Sequence, residues 1–281
     1  MNKPLNISMF DIGTMLGDGR FGKVFIVKEK ETNFKFGLKM INKSDINENN
    51  LFRQLKREIQ IQKNLCHPNI LRLLNHFHDH KRIYILLEFA HNGDVSNDIS
   101  KYGPYSNARA ATYLQQLVDS VSYCHSKFVM HRDIKSANIL ICSNGQIKLA
   151  DFGWSVHKNN SRNLNYVGSI FYRAPEVVLR KFPLGYETDI WSIGVVLYEM
   201  LTGTLPFYHE NSLTVDKRTV EGDFRIPGNI SPKAIVLLRG ILAVNPQQRM
   251  TLNSILNHEF VKSFSENTLQ ECKASEIMWT R

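Results

Sequence analysis

His131-Arg132-Asp133-Ile134-Lys135-Ser136-Ala137-Asn138, followed by Asp151-Phe152-Gly153 thirteen residues beyond Asn138, decides how this 281-residue chain is read. The residue types belong to one chemistry. Asp133 can orient a nucleophilic hydroxyl and accept its proton, and Lys135 can meet the charge of a moving phosphoryl group. Asn138 and Asp151 offer hard oxygens to a divalent cation. The interval between them suits two short strands and a turn, which would return the second motif to the first at a single cleft.

Upstream, residues 10–28 alternate apolar and polar around Gly17-x-Gly19-x-x-Gly22-x-Val24. That spacing predicts a strand, a glycine turn and a returning strand. Glycines let backbone N–H groups approach phosphate oxygens closely. The loop lies between strands and not before a helix, which argues against a dinucleotide fingerprint. Taken alone, it could equally be a structural hairpin. Phe34 to Ile41 predicts a third strand carrying Lys39. Asn50 to Leu65 predicts an amphipathic helix, with Leu51, Leu55, Ile59 and Ile61 at near-helical spacing and Glu58 placed to pair with Lys39. Two more strands are expected at Leu71–Phe77 and Ile83–Phe89.

After Gly93 the pattern turns helical, over 107–127, 184–201, 211–221, 231–243 and 251–260. Strands first and helices second predict an α+β protein of two lobes: a small antiparallel sheet with one long helix, and a larger, mainly helical lobe. The expected divisions are a short extension at 1–9, a small lobe at 10–88, a hinge near 88–94, a large lobe at 95–262 and a polar tail at 263–281. Glu176 of Ala174-Pro175-Glu176 has a candidate buried partner in Arg249, and Asp189 is placed to brace the catalytic loop.

Hydrophobic residues make up 43% of the chain, enough for an ordinary core. No run of eighteen apolar residues occurs, so neither a membrane span nor a secretory leader is expected. Cys66, Cys124, Cys142 and Cys272 lack paired metal spacing and read as reduced thiols. The net charge is +9, and residues 1–90 hold 15 basic against 9 acidic side chains. A basic surface suits acidic partners. Without a run of five like charges, no specific nucleic acid is expected. His76, His78 and His80 alternate without a clear fourth ligand, so they read as exposed loop histidines.

Together these motifs, in this order over residues 10–262, resemble a eukaryotic protein kinase catalytic domain. Asp151-Phe152-Gly153-Trp154-Ser155-Val156-His157 is similar to the Aurora kinases, above all in Trp154. His67-Pro68-Asn69-Ile70-Leu71-Arg72-Leu73, Phe77-His78-Asp79 and Ser122-Tyr123-Cys124-His125-Ser126 support the same subfamily. The resemblance implies catalytic roles for Asp133, Lys135, Lys39 and Glu58, and metal ligation by Asn138 and Asp151. It implies ATP and Mg²⁺, with the nucleotide among Leu16, Gly17, Gly19, Gly22, Val24, Gly37, Lys39, Glu88, Ala90 and Leu140. Leu87 would guard the pocket behind the hinge.

Lys135 implies serine/threonine specificity. Protein substrates, a monomeric catalytic subunit and an activating or targeting protein on the small lobe, of inner-centromere or spindle type, are also implied. So are mitotic work in chromosome segregation and a place in nucleus and cytoplasm, at spindle, kinetochore or centromere. The competing readings are a nucleotide-binding scaffold that acts by docking, and a polo- or NIMA-like cell-cycle kinase.

The chain departs from the resembled pattern at three places. Ser136-Ala137 stands where Pro-Glu is usual, which predicts weaker selection for arginine upstream of the target. Asn165 occupies the position of the activating phosphothreonine, so activation is expected from a docked partner or from phosphorylation at Ser161 or Tyr166, while Ser169 is expected to bond the catalytic loop. Gly37 replaces an alanine above the adenine.

Overall fold

The computed structural model describes residues 4–19, 22–48, 51–158, 168–181 and 184–265. Asn165, Ser161 and Tyr166, Cys272 and most of the 263–281 tail lie outside these residues.

The small lobe is a five-stranded antiparallel sheet of β1 (Phe10–Gly19), β2 (Gly22–Glu29), β3 (Lys35–Asn42), β4 (Leu73–His78) and β5 (Arg82–Leu87). Its spatial order is β1-β2-β3-β5-β4. The two-residue period of a strand divides the apolar side chains between two faces. Leu38, Tyr84 and Leu86 pack with Phe10 and Val27 on one face. Ile41, Ile85 and Leu87 pack with Leu55, Leu71 and Leu73 on the other. With both faces covered, β5 reads as a continuous apolar run from Ile83 to Leu87, and in β3 the apolar run is interrupted by Lys39. In β1 only Phe10 is buried, and Ile12, Met15 and Leu16 are about half exposed. The alternation there does not mark a half-buried strand, because β1 is an edge strand whose register with β2 shifts on either side of Met15.

The one long helix expected of the small lobe is α2 (Phe52–Lys63), and a short helix, α1 (Lys43–Glu48), precedes it. The buried face of α2 is Leu55, Glu58, Ile61 and Gln62, which places a carboxylate among apolar positions. His76 and His78 lie on β4 and His80 in the turn after it, all exposed. Two of the three alternating histidines therefore belong to a strand, not a loop.

The large lobe contains α3 (Val95–Tyr102), α4 (Asn107–Ser126), α5 (Pro175–Val178), α6 (Glu187–Thr202), α7 (Ser212–Glu221), α8 (Pro232–Ile241), α9 (Leu252–Leu256) and α10 (Glu259–Phe264). Side chains cap many of the starts: Asp94, Ser106, Asn211, Ser231 and Thr251 each accept a first-turn N–H. The helix expected at 251–260 is split, because His258 is extended and its Nδ1 accepts the Phe260 N–H, starting a new helix. All residues from Thr188 to Leu201 in α6 are buried, as befits a helix running through the middle of a lobe. Trp191 at its centre stacks on Phe207 at 5.4 Å between centroids. Between α4 and α5 lie two small antiparallel pairings, the hairpin of β7 (Ile139–Ile141) with β8 (Ile147–Leu149) and, enclosing it in sequence, β6 (Val129–Met130) with β9 (Val156–His157). These place the catalytic loop and the Asp151 turn side by side. Among the described residues no helix is long and apolar enough to cross a membrane.

Candidate active site

The catalytic loop is held from below by α6. Asp189, fully buried near the start of that helix, accepts the N–H of His131 on Oδ2 at 3.0 Å and that of Arg132 on Oδ1 at 2.8 Å. His125 Nε2 lies 2.9 Å from Oδ2. Burial alone would raise the Asp189 pKa, but the His125 bond and charge, His131 and the Arg132 N–H together hold it below the usual carboxylate value. Arg132 takes a positive φ of 69°, and a Cβ on Gly168 would lie 2.7 Å from its carbonyl, so that crossing requires glycine. His131 accepts the Asp133 N–H on Nδ1 at 3.3 Å, which leaves Nε2 to donate to the Ala150 carbonyl at 3.1 Å. One imidazole thus joins the two motifs that open the sequence.

Asp133 is buried and its carboxylate is crowded with donors. Oδ1 accepts the N–H and the hydroxyl of Ser169, both at 3.0 Å. Oδ2 lies 3.1 Å from Lys135 Nζ and 3.1 Å from Asn138 Nδ2. Burial pushes its pKa up, but Lys135, His131 and Ser169 outweigh it and hold the group below its ordinary value. It is therefore ionised at neutral pH and suited to orienting a hydroxyl. Lys135 Nζ also donates to Ser169 Oγ at 3.2 Å.

Asn138 spends its amide nitrogen on the Asp133 carbonyl and carboxylate, leaving its oxygen as the outward ligand. The Ala150 N–H donates to the Asn138 carbonyl at 2.8 Å, which sets Asp151 beside it. Asp151 has a positive φ of 60° and its carboxylate is exposed. An amide oxygen and an exposed carboxylate fit a hard divalent cation. Among the described residues no three His, Cys, Asp or Glu side chains converge on a metal geometry, so this cation would take its remaining ligands from phosphate and water.

From the small lobe, Lys39 Nζ meets Glu58 Oε1 at 2.6 Å with both groups buried. Burial lowers the lysine pKa, but Glu58 and Asp151 more than compensate, so the ammonium persists. The influence of Asp151 places Lys39 at the same site as the metal turn. Gln54, one helical turn before Glu58, donates its amide to the Gly153 carbonyl at 2.7 Å. Gly22 has a φ of 145°, and a Cβ there would lie 2.2 Å from the Met40 carbonyl, so the hairpin itself demands glycine. At Gly17 a Cβ would meet nothing within 4 Å, which leaves bare backbone open to a ligand.

Val24 pairs opposite Gly17 in the hairpin and Lys39 opposite Val24 on β3, while Leu16 at the strand edge is about half exposed. Leu140, on β7, packs under the face that carries Ile85 and Leu87. The Glu88 N–H is used by the Arg72 carbonyl at 3.0 Å, and its carboxylate pairs with Lys148 at 2.9 Å. What Glu88 offers toward Gly37 is its carbonyl, 3.5 Å from a Cβ built there. Ala90 follows, half-buried, at the join between lobes.

The protein kinase domain family matches residues 10–261. Aurora kinase of Dictyostelium discoideum is 43% identical over 258 residues, covering 91% of this chain and 66% of that protein. Aurora kinase of Schizosaccharomyces pombe is 40% identical over 274 residues, with 97% and 77% covered. Aurora kinase C of Mus musculus is 39% identical over 267 residues, with 95% and 96% covered. The chain belongs to the Aurora kinases. It is by family a serine/threonine protein kinase, whose reactants are ATP with a divalent metal and a protein.

Two residues of this Aurora-type site, Gln54 and Glu199, escape sequence reasoning. Gln54 could have been found, since it lies four residues before Glu58 and so shares its helix face. Glu199 is a lone carboxylate in the apolar second half of α6, a signal in itself. Its bonds to Ser136 and Tyr172, across 63 and 27 residues, leave no local trace.

Proposed function

We propose that this chain transfers the γ-phosphoryl group of Mg²⁺-bound ATP to serine or threonine hydroxyls of protein substrates, as an Aurora-type kinase of chromosome segregation. The observation that carries the chemistry is the Asp133 carboxylate, buried, ionised and flanked by Lys135 and Ser169. The acceptor hydroxyl is oriented by Asp133 and its oxygen bonds to the γ-phosphorus. The bond to the β–γ bridging oxygen breaks, ADP leaves, and the hydroxyl proton passes to Asp133 and then to water. Lys135 offsets charge on the transferred group, and Lys39, steadied by Glu58, holds the phosphates from above. Asn138 and Asp151 would hold the cation, which supplies charge neutralisation across the phosphates. Turnover on the order of 1–100 s⁻¹ is expected once activated. With radiolabelled ATP and a generic protein substrate, Asp133→Asn should abolish transfer while leaving nucleotide affinity intact. Undiminished transfer would refute the assignment.

Target selection follows from the loop. Ser136 is buried and Ala137 exposed, so neither adds a carboxylate to the loop surface. Weak arginine selection two residues upstream is expected in a positional peptide library. Burial pushes the Arg132 pKa down to about 10 against the opposing charge of Asp189, the positive charge of Arg57 adds to the fall, and the Arg132 guanidinium donates to the Trp154 carbonyl at 3.4 Å near the start of the activation segment. This supports activation by an anionic group, a phosphate at Ser161 or Tyr166 or an acidic partner docked on the small lobe. Work in nucleus and cytoplasm, at spindle, kinetochore or centromere, belongs to the same reading, and imaging of a tagged chain through division would test it.

A further inference from the structure

Ser136 sits between Lys135 and Ala137 in the catalytic loop, yet its side chain does not face solvent. Its residue is 1% exposed. The hydroxyl donates to Glu199 Oε1 at 2.9 Å and lies 3.0 Å from the Tyr172 hydroxyl. Tyr172 in turn donates to Glu199 Oε2 at 2.7 Å. All three groups are buried, so water is a poor substitute for any member that is lost. The cluster joins the catalytic loop, the Ser169–Tyr172 turn at the end of the activation segment and the far end of α6.

This cluster is the second of two ties between the same pair of segments. Asp133, three residues before Ser136, is bonded to Ser169, and Ser136 is bonded to Tyr172, three residues after Ser169. The receiving turn is itself stiffened, since the Tyr172 N–H donates to the Ser169 carbonyl at 3.0 Å and Ser192 Oγ donates to the Tyr172 carbonyl at 2.8 Å. Lys135 lies between the two ties, with Nζ 3.1 Å from Asp133 and 3.2 Å from Ser169. A loop fixed at one end only can pivot. One fixed at both ends holds its middle residue in place, and catalysis is sensitive to misplacement by an ångström.

We propose that Ser136 is a positioning residue: its hydroxyl, clamped between Glu199 and Tyr172, keeps Asp133 and Lys135 in register with the Ser169–Tyr172 turn that walls the acceptor hydroxyl. The inference rests on the proposed phosphoryl transfer. The clamp acts on the transfer step and touches no part of the nucleotide cradle.

The test uses the purified full chain with ATP and a peptide substrate, reading kcat, KM and the affinity of a non-hydrolysable ATP analogue by calorimetry. Ser136→Ala should lower kcat about tenfold, the size expected for one hydrogen bond to a charged group, and leave nucleotide affinity within about twofold. Tyr172→Phe should lower kcat in the same direction. The double variant should lose little more than the weaker single variant, because either change opens the ring. Ser136→Ala with unchanged kcat, or a double variant whose loss is the product of the single losses, would overturn the proposal. If Ser136→Ala does not fold, Tyr172→Phe decides alone: an undiminished kcat refutes the clamp. A wild-type chain with no transfer under any activating condition refutes the kinase reading and the clamp with it. A weak Asp133→Asn and an undiminished Ser136→Ala refute the clamp only.

Discussion

Two buried ion pairs, one in each lobe, are built on opposite plans. In the large lobe Arg249 forks onto both oxygens of Glu176 at 2.8 and 3.0 Å, and gives its remaining N–H groups to the carbonyls of Glu187, Ala243 and Val244. Its guanidinium also lies over the Trp191 ring at 5.1 Å. In the small lobe Lys39 meets one oxygen of Glu58, and Glu58 Oε2, though buried, has no hydrogen-bond partner among the described residues. A planar fork meets a carboxylate with two parallel N–H groups, whereas an ammonium is a compact point charge and here reaches one oxygen of its carboxylate. The saturated pair holds a fold together. The pair that leaves Glu58 Oε2 without a hydrogen bond among the described residues lies where the phosphates are proposed to bind.

The contrast can be broken most severely at the saturated end. Arg249→Ala leaves a buried carboxylate unpaired beside Trp191, and a loss of about 3–5 kcal/mol is expected in urea unfolding. The surviving folded fraction should still bind nucleotide. At the other pair Lys39→Arg keeps the charge but not the shape. Activity should fall about a hundredfold, equivalent to about 2.7 kcal/mol, with an unfolding midpoint close to wild type. A large stability loss there would erase the distinction.

Asp189 sharpens the comparison by pH. Its pKa lies below the ordinary carboxylate value, so its contribution is complete above about pH 4, the range of the unfolded group, and disappears as pH falls through the folded value. Wild type should therefore lose more stability than Asp189→Asn as urea titrations descend below about pH 4. Equal slopes would mean that the carboxylate is not selectively stabilised in the folded state. The smallest effect is expected at the nucleotide wall. The nearest contacts of a Cβ on Gly37 are 3.5 and 3.6 Å, ordinary van der Waals distances. Gly37→Ala should leave nucleotide affinity unchanged or tighter by less than about 1 kcal/mol in calorimetry, since it adds contact and stiffens the strand. A marked loss would show that the open space serves the ligand.

What the amino-acid string made legible was whatever depends on residue type at short spacing. The loop around Asp133, the turn at Asp151, the glycines and the order of strands before helices all belong to that class. Lys39 with Glu58 and Glu176 with Arg249 could be paired across long separations because each lies in a dense local motif. The short α1, the break at His258 and the half-exposed β1 were not legible, since capping geometry and edge position decided them over apolar periodicity. Gln54 on Gly153 and Ser136 on Glu199 were hidden for another reason. Polar side chains in loops and helices usually meet solvent, and only the packed arrangement brings them to buried partners.

One consequence of α6 concerns time rather than geometry. A helix buried along its length opens only in the rarest fluctuations of a domain. Two of its carboxylates, Asp189 and Glu199, hold the catalytic loop from either end. The amide hydrogens of His131 and Arg132, in a segment with no helix or strand of its own, should therefore exchange with solvent deuterium as slowly as the core does. The loop proposed to perform the chemistry would keep one of the slowest clocks in the molecule.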